Sequence, residues 1–311
     1  MIKKTLYFGN PAYLSLKNSQ LVIKLPEVEN NSSLNDSFKE KSITTIPVED
    51  IGVIILDNKQ ITLTHGLIEA LLRNNCALIT CCSKGLPNGL MLPLVGNSLQ
   101  TERFKHQLNA SLPLRKQLWQ QTVQAKIENQ AYLLRKYRGV VTKNLLSWSN
   151  TIRSGDPDNL EARAAVYYWS NMFPDIPEFK RDRDGVPPNN LLNYGYAILR
   201  AVVARSLVGS GMLPTIGLFH RNKYNAYCLA DDIMEPYRPF VDKLILELMG
   251  VYKDYTAITI ELKRELLKIP VLDVRMEGQL RPLMIAVRET TASLYQCFAG
   301  ELRKIKYPTL K

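Results

Sequence analysis

Cysteine is scarce in this sequence. Its five residues, Cys76, Cys81, Cys82, Cys228 and Cys297, are odd in number and contain no CxxC pair. That excludes a disulfide framework and a zinc knuckle. Histidine is rarer still, with three residues in 311. The opening MIKKTLYFGNPAY lacks an apolar signal core, and no hydrophobic run approaches membrane-spanning length, so a reduced, cytoplasmic setting without a membrane is expected. The phosphate loop GxxxxGK[ST] is missing, HExxH is missing, and GSG at 209–211 lacks the GxSxG frame. No repeat of solenoid period occurs.

What is present is positive charge. The formal net charge is +11 and the isoelectric point is about 9.3. It is unevenly placed: residues 1–100 hold 9 Lys and Arg against 8 Asp and Glu, the remainder 31 against 21. A polyanion such as nucleic acid suits this balance, since Lys and Arg contacts to phosphate supply most sequence-independent affinity. The C-terminal two-thirds is the expected seat, with a solvated basic surface as the alternative.

With 46% hydrophobic residues the chain can bury a sizeable core. The first hundred residues carry short runs rich in β-branched and aromatic residues (TLYF, AYLSL, QLVIKL, ITTIP, GVIIL), separated by turn formers. Residues 27–42 read as a polar, flexible loop. One helix is predicted near 63–74, with Thr64 as N-cap and Leu67, Leu71 and Leu72 as its apolar stripe. From Glu102 the period becomes helical, with helices near 102–110, 112–137, 141–150, 159–172, 189–210, 226–249, 256–268 and 278–299. The proline-rich, charged stretch 173–188 reads as an exposed loop. The expectation is an α+β chain of two domains: a small N-terminal β-sheet domain over 1–95, a linker at 96–101, and a larger all-helical domain over 102–311.

Chemistry concentrates in three stretches. In GDPDNLEARAAVYYWSNMF, Asp158 can cap a helix and Glu161 sits in its first turn, where the dipole favours a carboxylate. Completing that cap is a sufficient role for Glu161. In NNLLNYGYAILRAVVARSLVGSGMLPTIGLFH, Asn189 or Asn190 can cap a second helix, NYGY points to close helix packing, and a loop after Gly211 delivers His220. In LADDIMEPYRP, Asp232 and Glu235 are three apart, with Pro236 and Pro239 bending the chain. Pairing of Glu235 with Arg238 in a surface salt bridge is the plain reading. If Glu161, His220 and Glu235 converge instead, two carboxylates and an imidazole suit Mg²⁺ or Mn²⁺ and a phosphodiester substrate.

Across nearly its whole length the sequence resembles the universal CRISPR-associated spacer integrase/endonuclease family, in its type II form. The resemblance is carried by QITLTHGLIEALL, LWQQTVQAKIENQAYLL, NLEARAAVYYW, LLNYGYAILRA, GMLPTIGLFHRNKYNAYCLADDIMEPYRPFVD and TTASLYQCFAG, in that order. It implies an N-terminal β domain, a C-terminal helical domain, and a metal site on Glu161, His220 and Glu235. Many relatives carry Asp where Glu235 stands, so Asp232 remains a rival or supporting ligand. The implied activity is that of a metal-dependent DNA endonuclease and integrase of the phosphodiester hydrolase class. It would insert new spacers for antiviral defence by 3′-hydroxyl attack on a phosphodiester. Implied partners are prespacer and repeat-leader DNA, a second copy forming a homodimer, a small second adaptation protein in a heterohexamer-like complex, and other type II CRISPR proteins.

Arg221 and Lys223 flank His220 and are candidates for holding the scissile phosphate. Arg135, Lys136 and Arg138, with Lys143 around Tyr137, and Arg163 near Glu161, are further candidate DNA contacts or an exposed basic face. The tail ELRKIKYPTLK is open to three readings: disordered, DNA-binding or partner-docking. Two other function classes fit the composition: a branched-DNA or repair nuclease using water as nucleophile, and a non-catalytic basic DNA-binding scaffold.

Overall fold

The structure, a computed structural model, describes residues 2–177 and 179–311. Chain packing divides it into two compact units, Met1–Gly96 and Asn97–Lys311.

The first unit contains β1 (Lys4–Phe8), β2 (Ala12–Lys17), β3 (Gln20–Lys24), α1 (Pro26–Glu29), α2 (Asp36–Lys41), β4 (Thr44–Pro47), β5 (Ile51–Leu56), β6 (Ile61–Leu63), α3 (His65–Arg73), β7 (Ala77–Cys81) and β8 (Pro87–Met91). They form two four-stranded sheets, ordered β1-β5-β7-β8 and β4-β3-β2-β6. Strand β5 is IGVIIL, buried from Ile51 to Ile55 and paired in parallel on both sides. A strand enclosed in this way has no need of alternation, which explains its continuous apolar run. Strands β2 and β3 join through Asn18 and Ser19, both at positive φ, as a two-residue hairpin turn requires. Leu14, Leu21, Ile51, Ile54, Leu67, Leu71 and Leu78 share one core.

Helix α3 matches the predicted helix and its stripe, although the Thr64 side chain makes no capping bond. Residues 27–42 differ from the expected loop by holding α1 and α2. The polar stretch conceals a cap: Asn35 accepts a hydrogen bond from the Phe38 amide at 2.8 Å. Asp36 then opens the short helix and Lys39 and Lys41 close it, complementing the dipole.

The second unit runs α4 (Gln100–Asn109), α5 (Leu112–Arg138), α6 (Lys143–Thr151), α7 (Leu160–Met172), α8 (Asn189–Gly209), α9 (Cys228–Met234), α10 (Arg238–Val251), α11 (Ile260–Leu266), β9 (Asp273–Met276), β10 (Gln279–Pro282) and α12 (Leu283–Phe298). Helix α5 is its spine. Ser111 caps the start, and Gly139 at φ +65 ends it in the left-handed conformation that glycine takes readily. Leu118, Trp119, Val123, Ile127, Ala131 and Leu134 are buried along it. The close packing expected at NYGY is real. A Cβ on Gly195 would stand 2.7 Å from Val241 Cγ1, so α8 and α10 touch backbone to side chain there.

Three expectations need correction. The second unit is not all-helical: β9 and β10 pair antiparallel through Glu277 and Gly278, both at positive φ. Glu-Gly is a less familiar turn than Asn-Gly or Asp-Gly, so the helical pattern reads straight through it. The continuous helix expected at 226–249 breaks at a 3₁₀ turn, Glu235–Tyr237, because Pro236 lacks an amide donor. Asn189 caps nothing. Its side chain donates to the carbonyls of Lys180 and Val186 and so ties the preceding loop to α8. Between Phe173 and Pro188 the described residues form no helix or strand, and Phe173 and Phe179 anchor them with ring centroids 4.7 Å apart. Glu178, part of that predicted loop, lies outside the described residues.

Candidate active site

The site gathers on one face of α5. Lys126 projects from its middle, nearly buried, and its Nζ lies 2.6 Å from Glu161 Oε1 and 2.7 Å from Glu235 Oε2. Glu161 comes from the first turn of α7, and Glu235 from the 3₁₀ turn between α9 and α10. Arg238 closes the other side, its NH2 3.0 Å from Glu235 Oε1. The Glu235–Arg238 pair therefore exists, but it is not a surface bridge, since the Glu235 side chain is 6% exposed.

Burial opposes the charge on Lys126, yet Glu235 and Glu161 outweigh it and hold the ammonium above its ordinary pKa. Burial likewise opposes the charge on Glu235, and Arg238 and Lys126 outweigh it and pull this carboxylate below its usual range. Oε2 of Glu235 makes an ionic contact with Lys126 but no hydrogen bond of good geometry.

Helix α7 is capped by a different residue from the one expected. Asp156, at positive φ, accepts from the amides of Leu160 and Glu161, each at 2.9 Å. Asp158 turns outward to Arg153, 2.7 Å away. With the cap filled by Asp156, the Glu161 carboxylate is free to face Lys126.

His220 stands on the loop after α8, half-buried. Its Nδ1 is 2.5 Å from Asp232 Oδ1. Asp232 is fully buried, and its oxygens also accept from the amides of Leu218 at 2.6 Å and Phe219 at 3.0 Å. Its acceptor capacity is spent on this loop, which makes it the residue that orients His220 and leaves Nε2 free for other work. The bond to Asp232 raises the His220 pKa against the opposing effect of burial, and the charges of Asp232, Glu235 and Glu161 add to the rise. The loop needs Gly217: a Cβ there would lie 2.5 Å from the His220 carbonyl oxygen and 2.8 Å from Asp232 Oδ2. Phe219 stacks on Trp119 of α5 at 4.6 Å, and both rings meet the imidazole edge-on.

Glu161 and Glu235 therefore meet through an ammonium that the sequence does not single out, and His220 lies within electrostatic reach of both. Among the described residues no three His, Cys, Asp or Glu side chains form a ready-made metal cluster. The chemistry of the donor set nevertheless fits a hard or borderline divalent ion: two carboxylates, one with a buried oxygen lacking a directed partner, and an imidazole with one nitrogen held by a carboxylate.

A cavity of about 660 Å³ opens beside His220, lined among others by Arg115, Arg221, Asn222 and Lys223. Arg221 and Lys223 are exposed there, and Lys223 lies over the Tyr224 ring. The other cationic candidates are more dispersed. Arg163, two residues after Glu161 on α7, is exposed and stacks on Trp148 at 4.7 Å. Lys136 and Arg135 lie over Tyr132. Arg138 is tied down by its bond to the Met172 carbonyl at 2.7 Å.

The tail is folded. Gln121 Nε2 donates to Arg303 O and its Oε1 accepts from the Ile305 amide, each at 2.9 Å. The hydroxyls of Tyr307 and Thr122 share a hydrogen bond of 2.8 Å. Buried Asn129, one turn beyond Lys126, donates to the carbonyls of Pro236 and Pro308 and accepts from the Leu310 amide. Tyr237, Thr290 and the Lys306 carbonyl continue the chain of bonds at 2.6 Å each. Residues 303–310 thus clamp the turn that carries Glu235.

A family profile described as CRISPR associated protein Cas1 matches residues 6–254. The chain belongs to the Cas1 family. It is 36% identical over 294 residues to the CRISPR-associated endonuclease Cas1 of Neisseria meningitidis serogroup C (strain 8013), covering 94% of this chain and 91% of that one. A Cas1 endonuclease of Pyrobaculum aerophilum is 28% identical over 214 residues, covering 65% and 72%. Among solved structures, a casposase bound to integration product superposes with TM-score 0.75 at 18% identity, covering 98% of this chain and 92% of that one. The Cas1 protein of Thermotoga maritima does so with TM-score 0.71, also at 18%, covering 96% and 98%. Both likenesses extend over the N-terminal β unit and the helical C-terminal unit alike. No helix among the described residues is long and apolar enough to cross a membrane.

Proposed function

We propose that this Cas1 protein is a metal-dependent DNA integrase and endonuclease of type II CRISPR adaptation. The observation that carries the reading is the meeting of Glu161 and Glu235 on one cation, Lys126, beside an imidazole fixed by a buried aspartate. Glu161, Glu235 and Nε2 of His220 are the proposed ligands of Mg²⁺ or Mn²⁺. A bound ion would polarise a phosphoryl oxygen and stabilise the leaving oxygen of an in-line displacement.

The chain's own residues do the rest. Asp232 holds His220 in one orientation, and Gly217 lets the loop close over that pair. Arg221, Lys223 and Arg115 give the adjacent cavity the charge to seat DNA phosphates. The attacking 3′-hydroxyl oxygen of the incoming strand forms a bond to phosphorus as the bond to the target strand's 3′ oxygen breaks. One phosphodiester replaces another, so no Ser or Cys nucleophile is needed.

The proposed partners are prespacer and repeat-leader DNA, a second copy of this chain, and a small second adaptation protein. Related folds solved in a Cas6-RT-Cas1–Cas2 complex and in a TtCas1–DNA complex are in keeping with this. Purified protein with its partner and Mn²⁺ should join a short duplex to a supercoiled repeat-bearing plasmid. Glu161→Ala and His220→Ala should abolish joining and still bind DNA. Full joining by either variant overturns the reading, and cut but unjoined products would mark a nuclease instead.

A further inference from the structure

Lys126 raises a question of charge. Glu161 and Glu235 are the two acids proposed to hold a divalent cation, yet each already has an ammonium within 2.7 Å, and Glu235 also has Arg238 at 3.0 Å. Two carboxylates facing one lysine and one arginine form a balanced set. A dication entering this set would meet two fixed positive charges with little water between them, where repulsion is strong. The remaining nearby carboxylate, Asp232, is already engaged by His220 and two loop amides.

We propose that Lys126 holds the place between Glu161 and Glu235 while DNA is absent, and yields it when a DNA phosphate arrives to receive its ammonium, so that divalent cation and DNA bind cooperatively. The inference rests on the metal-site reading above and adds a gate to it. Lysine suits the part. Its charge sits on a flexible four-carbon stem with three rotatable donors, so it can leave two carboxylates for a phosphate without moving its helix. Arg238 could not exchange so freely, being held against Glu235 and over the Tyr196 ring at 4.7 Å. His220 links the carboxylates to the seat proposed for the phosphate: its ring feels the charges of Glu235 and Glu161 and also lines the basic cavity. The phosphate supplies the negative charge that the carboxylate set lacks, and the released carboxylates supply the ligands that the cation needs. Each ligand then improves the site for the other, and by linkage the two effects are equal in size.

Mn²⁺ binding to the full chain, followed through the spectrum of free Mn²⁺ with and without a short DNA duplex, tests this. Glu161→Gln protein with the same duplex serves as the blank for ions held by DNA itself. Unmutated protein should bind Mn²⁺ about tenfold or more tightly when DNA is present, and DNA affinity should rise by the same factor with Mn²⁺. Lys126→Gln should bind Mn²⁺ without DNA about tenfold tighter than the unmutated protein and gain little from the duplex. Circular dichroism checks that this variant folds. Should it not fold, the titration of unmutated protein decides alone. Equal Mn²⁺ affinity of unmutated protein with and without DNA overturns the gate, as does a folded Lys126→Gln variant that binds no tighter. Failure of the metal site itself looks different: Mn²⁺ binding would then be the same in Glu161→Gln as in unmutated protein under every condition.

Discussion

Asp232 receives Nδ1 of His220 at 2.5 Å, and the same carboxylate collects the amides of Leu218 and Phe219. One buried side chain thus sets both the shape of a loop and the orientation of the ring it carries. Asp232→Asn keeps the volume and removes the charge that faces the imidazole. Mn²⁺ affinity and joining rate should fall by roughly 10- to 100-fold, the range for removing the partner of a ligating histidine. His220→Ala should cost more still. An Asp232→Asn protein with undiminished Mn²⁺ affinity would show that the pair is merely structural.

Gly217 permits that pairing by having no side chain. In Gly217→Ala the new methyl would fall 2.5 Å from a carbonyl oxygen and 2.8 Å from Asp232 Oδ2, so the loop must shift. Joining should drop sharply while helical content by circular dichroism stays unchanged, because the strain is confined to residues 217–220. Normal joining by this variant would mean that the loop has slack the structure does not show.

Arg221 and Lys223 are exposed at the cavity, one and three residues after His220 on the same loop. Replacing both with Ala should weaken binding of any DNA sequence to a similar degree. The slope of log affinity against log salt should shrink by about 0.9 for each duplex phosphate that the variant no longer neutralises. Filter binding across a salt series reads this directly, and an unchanged slope would place the phosphates elsewhere.

Asp242 gives a pH signature separate from the proposed metal ligands. Burial lifts its pKa from 3.8 to about 6, against the lowering effect of hydrogen bonds from Tyr196 and Tyr168 and of the charges on Arg238 and Arg181. A carboxyl whose folded pKa is raised binds more protons folded than unfolded between those values. Its contribution to stability is full below the unfolded pKa and is lost as pH rises through about 6. Asp242→Asn cannot titrate there. Urea midpoints measured from about pH 4.5 to 7 should therefore fall relative to the variant as pH rises, and parallel profiles would remove the assignment.

How much of this is legible in the chain depends on whether the cause is local. The α5 helix, the glycines ending α8 and the close approach at Gly195 follow from patterns within a few residues. So does the grouping of His220, Asp232 and Glu235 in one stretch, although spacing alone does not separate an orienting acid from a ligand. Lys126 is not legible. It lies in the middle of a helix with several other Lys and Arg residues, and only the packing of α7 and the EPY turn onto α5 distinguishes it from them. The exchange of Asp158 for Asp156 as the cap has a similar source. Asn159 takes a left-handed conformation at φ 52, which hands the capping role to an acid three residues further upstream. The β9–β10 hairpin is hidden because a Glu-Gly turn joins strands too short to show their period.

The clamp on Glu235 is supplied by residues 303–310, which pair with Gln121, Thr122 and Asn129 across separations of 179 to 185 positions. During translation those partners leave the ribosome well after Glu161, His220 and Glu235 have emerged. A nascent chain can fold its β unit and most of its helices early, since domains form largely as they appear. The turn bearing Glu235 stays unfastened until residues 303–310 arrive, so the place of Glu235 beside Lys126 should be secured only once that stretch has been made.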